Sequence, residues 1–417
     1  MFHFQSSLLF IRQEWHFLLF GLLLAFWSGP GQTYVISVVV GEIRADFNLT
    51  NGEFGTLYTV ATLICALLLW KAGPLVDRMP LKSIAMKVSL LMVTSMVTFG
   101  LVQGPISLFF GIIAVRFLGQ GMMAHIAMTA TARRYEAVRG RALAIAELGF
   151  PLGLALYPPL IAFSLGFMDW RFIWPVMAVI AAITLLPTIP FLARTSVEAV
   201  DPRAATGEAL VSDTRHWTRR EVLRDTGFYM LLPSVMLPAT VITGFFFHQV
   251  YLIEVQGWNF ATWSLTFPVF ALAHLVGSFS LGVLVDLLGA RRLAPFLLLP
   301  SAMGILLFAF APSQAYAVLV MILLGFGSGA AGPALSALWP EIYGTRYLGA
   351  IRSVAAVAAV FGSALSPVLV GVALDSGYTI KSIALVFAVG VLCTAILAKG
   401  ALILHKSGPP TSSGGGK

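Results

Sequence analysis

Gly73 to Lys82 reads GPLVDRMPLK, a short turn carrying an aspartate, an arginine and a lysine between two long apolar runs. The chain carries a second version at Gly282 to Arg292, GVLVDLLGARR, in which Gly282 takes the place of Gly73 and Asp286 that of Asp77. At the same offset Gly153 and Pro158 map onto Gly362 and Pro367, and Leu118-Gly119-Gln120-Gly121 is echoed by Leu324-Gly325-Phe326-Gly327. A charged, glycine-opened turn set at one place in each of two halves marks a duplicated membrane protein.

Composition bounds the class in the same direction. Hydrophobic residues make up 58% of the chain and charged ones 11%, against about 45–50% and about 25% in soluble domains. The formal net charge of +8 would suggest nucleic acid in a soluble protein; here no nucleic-acid partner is expected. Cys65 and Cys393 fall inside apolar runs and read as packing residues, so no disulfide framework, metal site or cofactor is expected. The first apolar run begins near Trp15 and far exceeds a signal-peptide core, which predicts a retained span.

A bilayer core of about 30 Å takes about 20 apolar residues per helix. On that ruler the sequence predicts twelve spans, at about 16–41, 55–75, 83–102, 106–130, 141–165, 171–193, 227–253, 262–285, 293–311, 315–338, 350–374 and 380–403. The expected organisation is a six-helix bundle over 1–193, a cytosolic linker over 194–226, a second bundle over 227–405 and a flexible tail over 406–417. Lys and Arg gather at Arg78, Lys82, Arg133, Arg134, Arg139 and Arg141, in the linker, at Arg291, Arg292, Arg346 and Arg352, and in the tail. The opposite loops hold only Arg44, Arg171 and Lys381, which predicts both termini in the cytosol.

These residues resemble the major facilitator superfamily of secondary transporters. GPLVDRMPLK is similar to that family's signature between spans two and three, and GVLVDLLGARR to its copy between spans eight and nine. Arg116 with Gly119 and Gly121 resembles the span-four motif, and Asp169-Trp170-Arg171 the start of span six. The first copy departs from the pattern with Pro80 in place of glycine and Leu81 in place of a basic residue, while the second keeps Gly289 and Arg291. Within the superfamily, RRYEAVRGRALAIA and WPEIYGTRYLGAIRS resemble bacterial monocarboxylate and organic-anion porters. The resemblance implies an all-α fold of twelve transmembrane helices in two pseudo-symmetric six-helix bundles. It also implies a multi-pass protein of the bacterial inner membrane that transports as a monomer by alternating access, and not an enzyme.

Several residues are candidates for carrying transport. The resemblance implies that Asp77, with Arg78, forms an inward gate bonded to Arg352 at the start of span eleven and to Arg134 and Arg139, the other reading being a solvated turn that only sets topology; Asp286 and Arg291 are the counterparts in the second half. Arg116 is the one basic residue near mid-membrane, where a charge costs at least about 2.5–3.5 kcal/mol and so needs a partner. It either bonds to carbonyls of span one at the Gly29-Pro30-Gly31 break or holds a substrate carboxylate through two parallel bonds. Glu147 in span five and His125 in span four either couple transport to a proton or form a static hydrogen bond between helices. His248, Gln249 and His274, with Gln32, Tyr34 and Trp27, offer polar groups and a flat wall to a central cleft, or pack as ordinary core residues. The glycine run GFGSGAAGP at 325–333 permits close helix packing. The function expected is proton-coupled uptake of a small organic anion, with proton-driven efflux of amphipathic metabolites or drugs as the alternative. The partners expected are a small-molecule substrate, the proton and the lipid bilayer.

Overall fold

The computed structural model describes residues 2–135, 139–192, 217–344 and 347–406. Most of the expected linker and nearly all of the expected tail lie outside the described residues. Among the described residues every regular element is a helix. Eleven helices are long and apolar enough to cross a membrane, and the bent pair Phe10–Gly31 and Thr33–Phe47 brings the total to twelve when counted as one span. The others, in order, are Asn51–Arg78, Leu81–Gly100, Pro105–Arg134, Ala142–Ser164, Trp170–Leu192, Thr226–Phe247, Phe260–Leu288, Ala290–Phe310, Gln314–Tyr343, Val354–Asp375 and Ile380–His405. The all-α polytopic fold expected from the sequence is the fold observed.

Local chemistry explains the irregular points. Span one bends by 47° at Gly29–Gly31, a 3-10 turn whose Pro30 cannot donate to a helical ladder. Span two starts with a capping box: Glu53 donates its backbone N–H to Thr50 Oγ1 at 3.2 Å, and Thr50 its own to Glu53 Oε2 at 2.9 Å. Span seven was expected to run unbroken to residue 253. Instead the helix stops at Phe247 and resumes as Gln249–Val255, with His248 at the break.

The two copies of the signature turn differ in backbone, and the reason is one residue. Gly289 sits at φ +82°, a conformation that favours glycine. Pro80, at the matching position, is held at φ −55° by its ring. The first turn therefore cannot take the shape of the second.

The chain forms two compact units that interleave along the sequence. The first joins Met1–Ala209 with Phe245–Ala271 and Pro367–Ser376; the second holds Leu210–Gly244, Leu272–Ser366 and Gly377–Lys417. Within the first unit, the end of span eleven seals the start of span two. The Asp375 carboxylate accepts the backbone N–H of Asn51 at 3.1 Å and of Gly52 at 2.6 Å, and the Asn51 amide at 3.3 Å. These are N–H groups that a helix start leaves without partners. Buried aromatic residues fill the unit, among them Trp170, Trp174 and Phe99, the last two with ring centroids 4.2 Å apart. Many large apolar side chains stay exposed, Trp70, Phe110, Phe163 and Phe279 among them. In a bilayer these face lipid, and helix association rests on close packing and polar contacts instead.

Helix packing in the first unit leaves no room at Gly371, where an added Cβ would stand 2.5 Å from the Asn51 carbonyl oxygen. Gly371→Val should destabilise the detergent-solubilised protein by about 1–3 kcal/mol, read as a lower thermal midpoint. Gly104→Ala, whose Cβ would meet nothing within 4 Å, should leave the midpoint unchanged.

Candidate functional site

The site is built where spans one and four touch with both helices irregular. Arg116 ends the α-helical part of span four, and Phe117–Met123 continue as a π-helix. A Cβ on Gly31 would lie 2.3 Å from the Val115 carbonyl oxygen, and one on Gly119 would lie 3.0 Å from Gly31 Cα. Only two glycines let the backbones meet here. Irregular backbone at membrane depth persists where it is buried in protein or lines a cavity, and broken spans mark binding sites in secondary transporters.

This junction aims Arg116 inward, and the residue is 3% exposed. Its Nη1 donates to the Tyr58 hydroxyl and, at 3.4 Å, to Thr33 Oγ1, while the Tyr58 hydroxyl donates to Thr33 Oγ1 at 2.8 Å. The guanidinium carbon lies 4.3 Å from the Tyr58 ring centroid. Tyr58 is backed by Phe247, 4.5 Å between centroids. Among the described residues no ion pair includes Arg116, and its Nε has no hydrogen-bond partner. A cation–π contact contributes about 0.5–2 kcal/mol, less than the several kcal/mol that desolvating a charge costs. The arginine is thus buried, held on one side and incompletely satisfied.

The other residues singled out from sequence have varied surroundings. Gln32 is half-buried and donates to Ser28 Oγ at 3.5 Å. The Tyr34 hydroxyl is buried with no partner among the described residues. Trp27 is buried and packs edge-on against Phe26 and Tyr157. His248 and Gln249 are fully engaged in the first unit: the imidazole meets the Pro367 carbonyl at 2.8 Å, and the Gln249 amide donates to Ser37 Oγ at 2.9 Å while accepting from Trp263 Nε1 at 3.0 Å. His274 is half-buried on span eight of the second unit, its carbonyl packed against Gly329 from the glycine run. Glu147 is exposed on span five. His125 meets the Gly73 carbonyl at 3.3 Å and Thr129 Oγ1 at 3.4 Å, and no bond joins it to Glu147.

The charged turns pair differently from the sequence expectation. Asp77 forms an exposed ion pair with Arg133, which also donates to the Val76 carbonyl at 3.4 Å. Arg134 instead gives both Nε and Nη2 to Glu14 Oε2, at 3.1 and 2.9 Å. Arg133 and Arg134 are consecutive on one helix, so their side chains point about 100° apart and go to different partners. Tyr135 donates its hydroxyl to the same Glu14 oxygen at 2.8 Å, and burial together with that carboxylate pushes its pKa up, keeping it a donor. Arg78 and Asp286 are exposed. The side chain of Arg139 lies outside the described residues.

In the second unit Glu341 accepts the backbone N–H groups of Ala290 and Arg291, at 2.9 and 3.2 Å, and the Arg291 guanidinium reaches the Glu341 carbonyl. Arg352 donates to Ser336 Oγ at 3.4 Å. Sequence reasoning missed Tyr58, Thr33, Arg133, Glu14 and Glu341 as functional partners. Glu14, Arg133 and Glu341 carried a visible signal as charges at span ends, whereas Tyr58 and Thr33 carried none.

A twelve-span helical protein with a broken first span and an arginine buried at the break has the build of a membrane carrier. The sequence matches the Major Facilitator Superfamily over residues 18–367 and again over 239–417, and the chain belongs to that family. It is a secondary transporter of a small molecule and not an enzyme. Among solved structures it is similar to a nucleoside transporter, NupG, at 13% identity and TM-score 0.71, covering 94% of this chain and 99% of that one. It is also similar to a bacterial homologue of the human lysosomal transporter Spinster, in an inward-facing and occupied conformation. That match has 17% identity and TM-score 0.68, covering 93% of this chain and 94% of the other. The unoccupied form of the Spinster homologue gives 17% identity and TM-score 0.66, with 94% and 95% covered. At these identities the likeness is one of fold. Among curated proteins, none matches the sequence.

If Tyr58 supports the guanidinium as described, Tyr58→Phe should cost about 1–3 kcal/mol of stability, because a buried charged donor loses its acceptor. Thermal unfolding would register that loss. Asp77→Asn removes an exposed pair and should cost no more than about 1 kcal/mol in the same assay.

Proposed function

We propose that this protein takes up a small organic anion, monocarboxylate-like in chemistry, together with a proton, by alternating access. The observation that carries the reading is Arg116: buried, with no acidic partner and an unpartnered Nε among the described residues. A substrate carboxylate would supply both the counter-charge and the missing acceptor, through charge-assisted bonds to Nε and a terminal nitrogen. The Tyr58 ring fixes the guanidinium plane beforehand, so little side-chain entropy is lost on binding. Gln32 and Tyr34, on the span-one segment that follows the break, are the nearest in sequence of the proposed polar contacts.

Glu147 is the proposed proton carrier, assisted by His125, whose bond to the Gly73 carbonyl ties span four to the signature turn. Asp77 with Arg133 is the proposed gate pair in that turn. In this reading two six-helix halves rock about a midplane site, both termini face the cytosol and the protein resides in the bacterial inner membrane.

Counterflow in proteoliposomes with labelled small acids, amino acids and sugars tests the proposal. Acid-selective uptake stimulated by an inward proton gradient is the expected result. A flat response across the acids, with transport of amphipathic cations instead, would overturn it in favour of efflux. Arg116→Lys should raise the half-saturating acid concentration by about tenfold or more, since a point charge replaces a planar two-donor fork, while thermal stability falls less. Glu147→Gln should abolish gradient-driven accumulation but leave counterflow; unchanged pH dependence in that variant would exclude Glu147 as the carrier.

A further inference from the structure

A second cluster of titratable groups lies in the second unit, away from Arg116. The start of span seven and the ends of spans ten and twelve meet there, on the face that the arginine bias assigns to the cytosol. Its centre is the Asp225 carboxylate. Oδ1 accepts the backbone N–H of Gly227 at 3.2 Å and Oδ2 that of Phe228 at 3.0 Å, so the side chain caps the first turn of span seven. Oδ2 also accepts the Tyr343 hydroxyl of span ten at 2.6 Å. The same oxygen lies 3.0 Å from Nε2 of His405, at the end of span twelve.

This pair is enclosed. The imidazole side chain is 10% exposed and the carboxylate 16%, so solvent screens them little. The Trp217 and Tyr343 rings stand edge-on to the imidazole, with centroids 5.8 and 5.3 Å away. Gly227 supplies the space for it: a Cβ there would lie 2.5 Å from Nε2. Among the described residues, the titratable groups bonded to the imidazole are Asp225, ahead of span seven, and Tyr343 of span ten, whose hydroxyl lies 3.4 Å from Nε2.

The cluster also fastens the chain that leads into span seven. Trp217 donates its backbone N–H to the Tyr343 carbonyl at 3.0 Å and sets its ring edge-on to Tyr343 at 5.5 Å. A capping box between Thr218 and Glu221 opens the short helix Arg219–Val222. Val222 then joins the buried Phe228, Tyr343 and Leu402. Residues 217–225 are therefore held on the ends of spans ten and twelve, and one of the groups that hold them is a histidine.

We propose that Asp225, Tyr343 and His405 form a latch, tightened by acid, that fastens residues 217–225 to spans ten and twelve. With the imidazole protonated, Nε2–H and the carboxylate make a charge-assisted bond sheltered from solvent. Deprotonation removes the positive charge, leaves Asp225 with neutral donors alone and weakens the fastening. The contribution is present at low pH and is lost as pH rises through the range in which histidines titrate, about 5 to 8. An open latch lets out residues 217–225, at up to about 3.5 Å each, and so lengthens the connection between the two halves of the sequence. The device does not depend on which molecule is transported.

Hydrogen exchange of the purified full chain at pH 6 and pH 8, with rates corrected for the intrinsic pH dependence of amide exchange, tests this. Amides of residues 217–224 should exchange about tenfold faster at pH 8, the advantage of a charge-assisted bond over a neutral one. Those inside span three should not differ after correction. His405→Gln, which carries a neutral donor at both pH values, should show the faster rate throughout. Equal wild-type rates at the two pH values, or a pH response that survives in His405→Gln, would overturn the proposal. Should that variant fail to fold, Gly227→Ala pushes the imidazole off the carboxylate without removing either charged group, and the pH response should vanish. A wild-type response in Gly227→Ala would overturn the latch as well.

Discussion

The meeting of two backbones at Gly31 and Gly119 is the constraint on which the rest of the candidate site depends. A side chain on either residue would collide with main-chain atoms of the other span, so neither helix could keep its course. With both glycines in place, the bend of span one and the π-helical stretch of span four nest together. Arg116 is delivered at the edge of that junction, against Tyr58 and Thr33. Moving it by a single helical step would rotate it by about 100°, away from both partners. The arginine's burial, its pairing with a neutral hydroxyl and its unfilled Nε all follow from where the backbones touch.

Much of the architecture was legible because the bilayer acts as a ruler. Apolar runs of membrane length and an arginine bias suffice to count spans, and Gly29-Pro30-Gly31 announces the break in span one. The π-helix gave no warning, because widening a helix by one residue per turn changes no composition and little periodicity. Nor did the break at His248, because a histidine and a glutamine inside a membrane-length run do not by themselves interrupt a helix. The site divides in the same way. Arg116 stands out as an isolated charge, whereas Tyr58 and Thr33 are uncharged residues in apolar surroundings, and nothing local marks them as its partners. Asp77 and its arginine neighbours were visible as a group, but which arginine it meets is decided by helix phase. Arg134 turns to Glu14, a residue far away in sequence whose proximity depends on the packing of span one against span four.

The two halves anchor the same turn through different contacts. In the first, the acid Asp77 belongs to the turn and the base Arg133 to span four. In the second, the Glu341 carboxylate of span ten caps the backbone N–H groups that follow Gly289, and the Arg291 guanidinium donates to the Glu341 main-chain carbonyl. The first half uses an ion pair and the second a backbone cap. The cap is available only to the second half, because Gly289 turns the chain so that two N–H groups face the carboxylate, a turn that Pro80 forbids.

That difference bears on how such a duplicated chain evolves. Once one repeat carries proline where the other turns on glycine, the repeats are no longer interchangeable parts. A first-half turn recombined into the second half would bring Pro80 to the place of Gly289, and the two N–H groups that Glu341 accepts could no longer face it. A single substitution at the turn would thus act as a barrier that keeps the two halves diverging separately while preserving the fold they share.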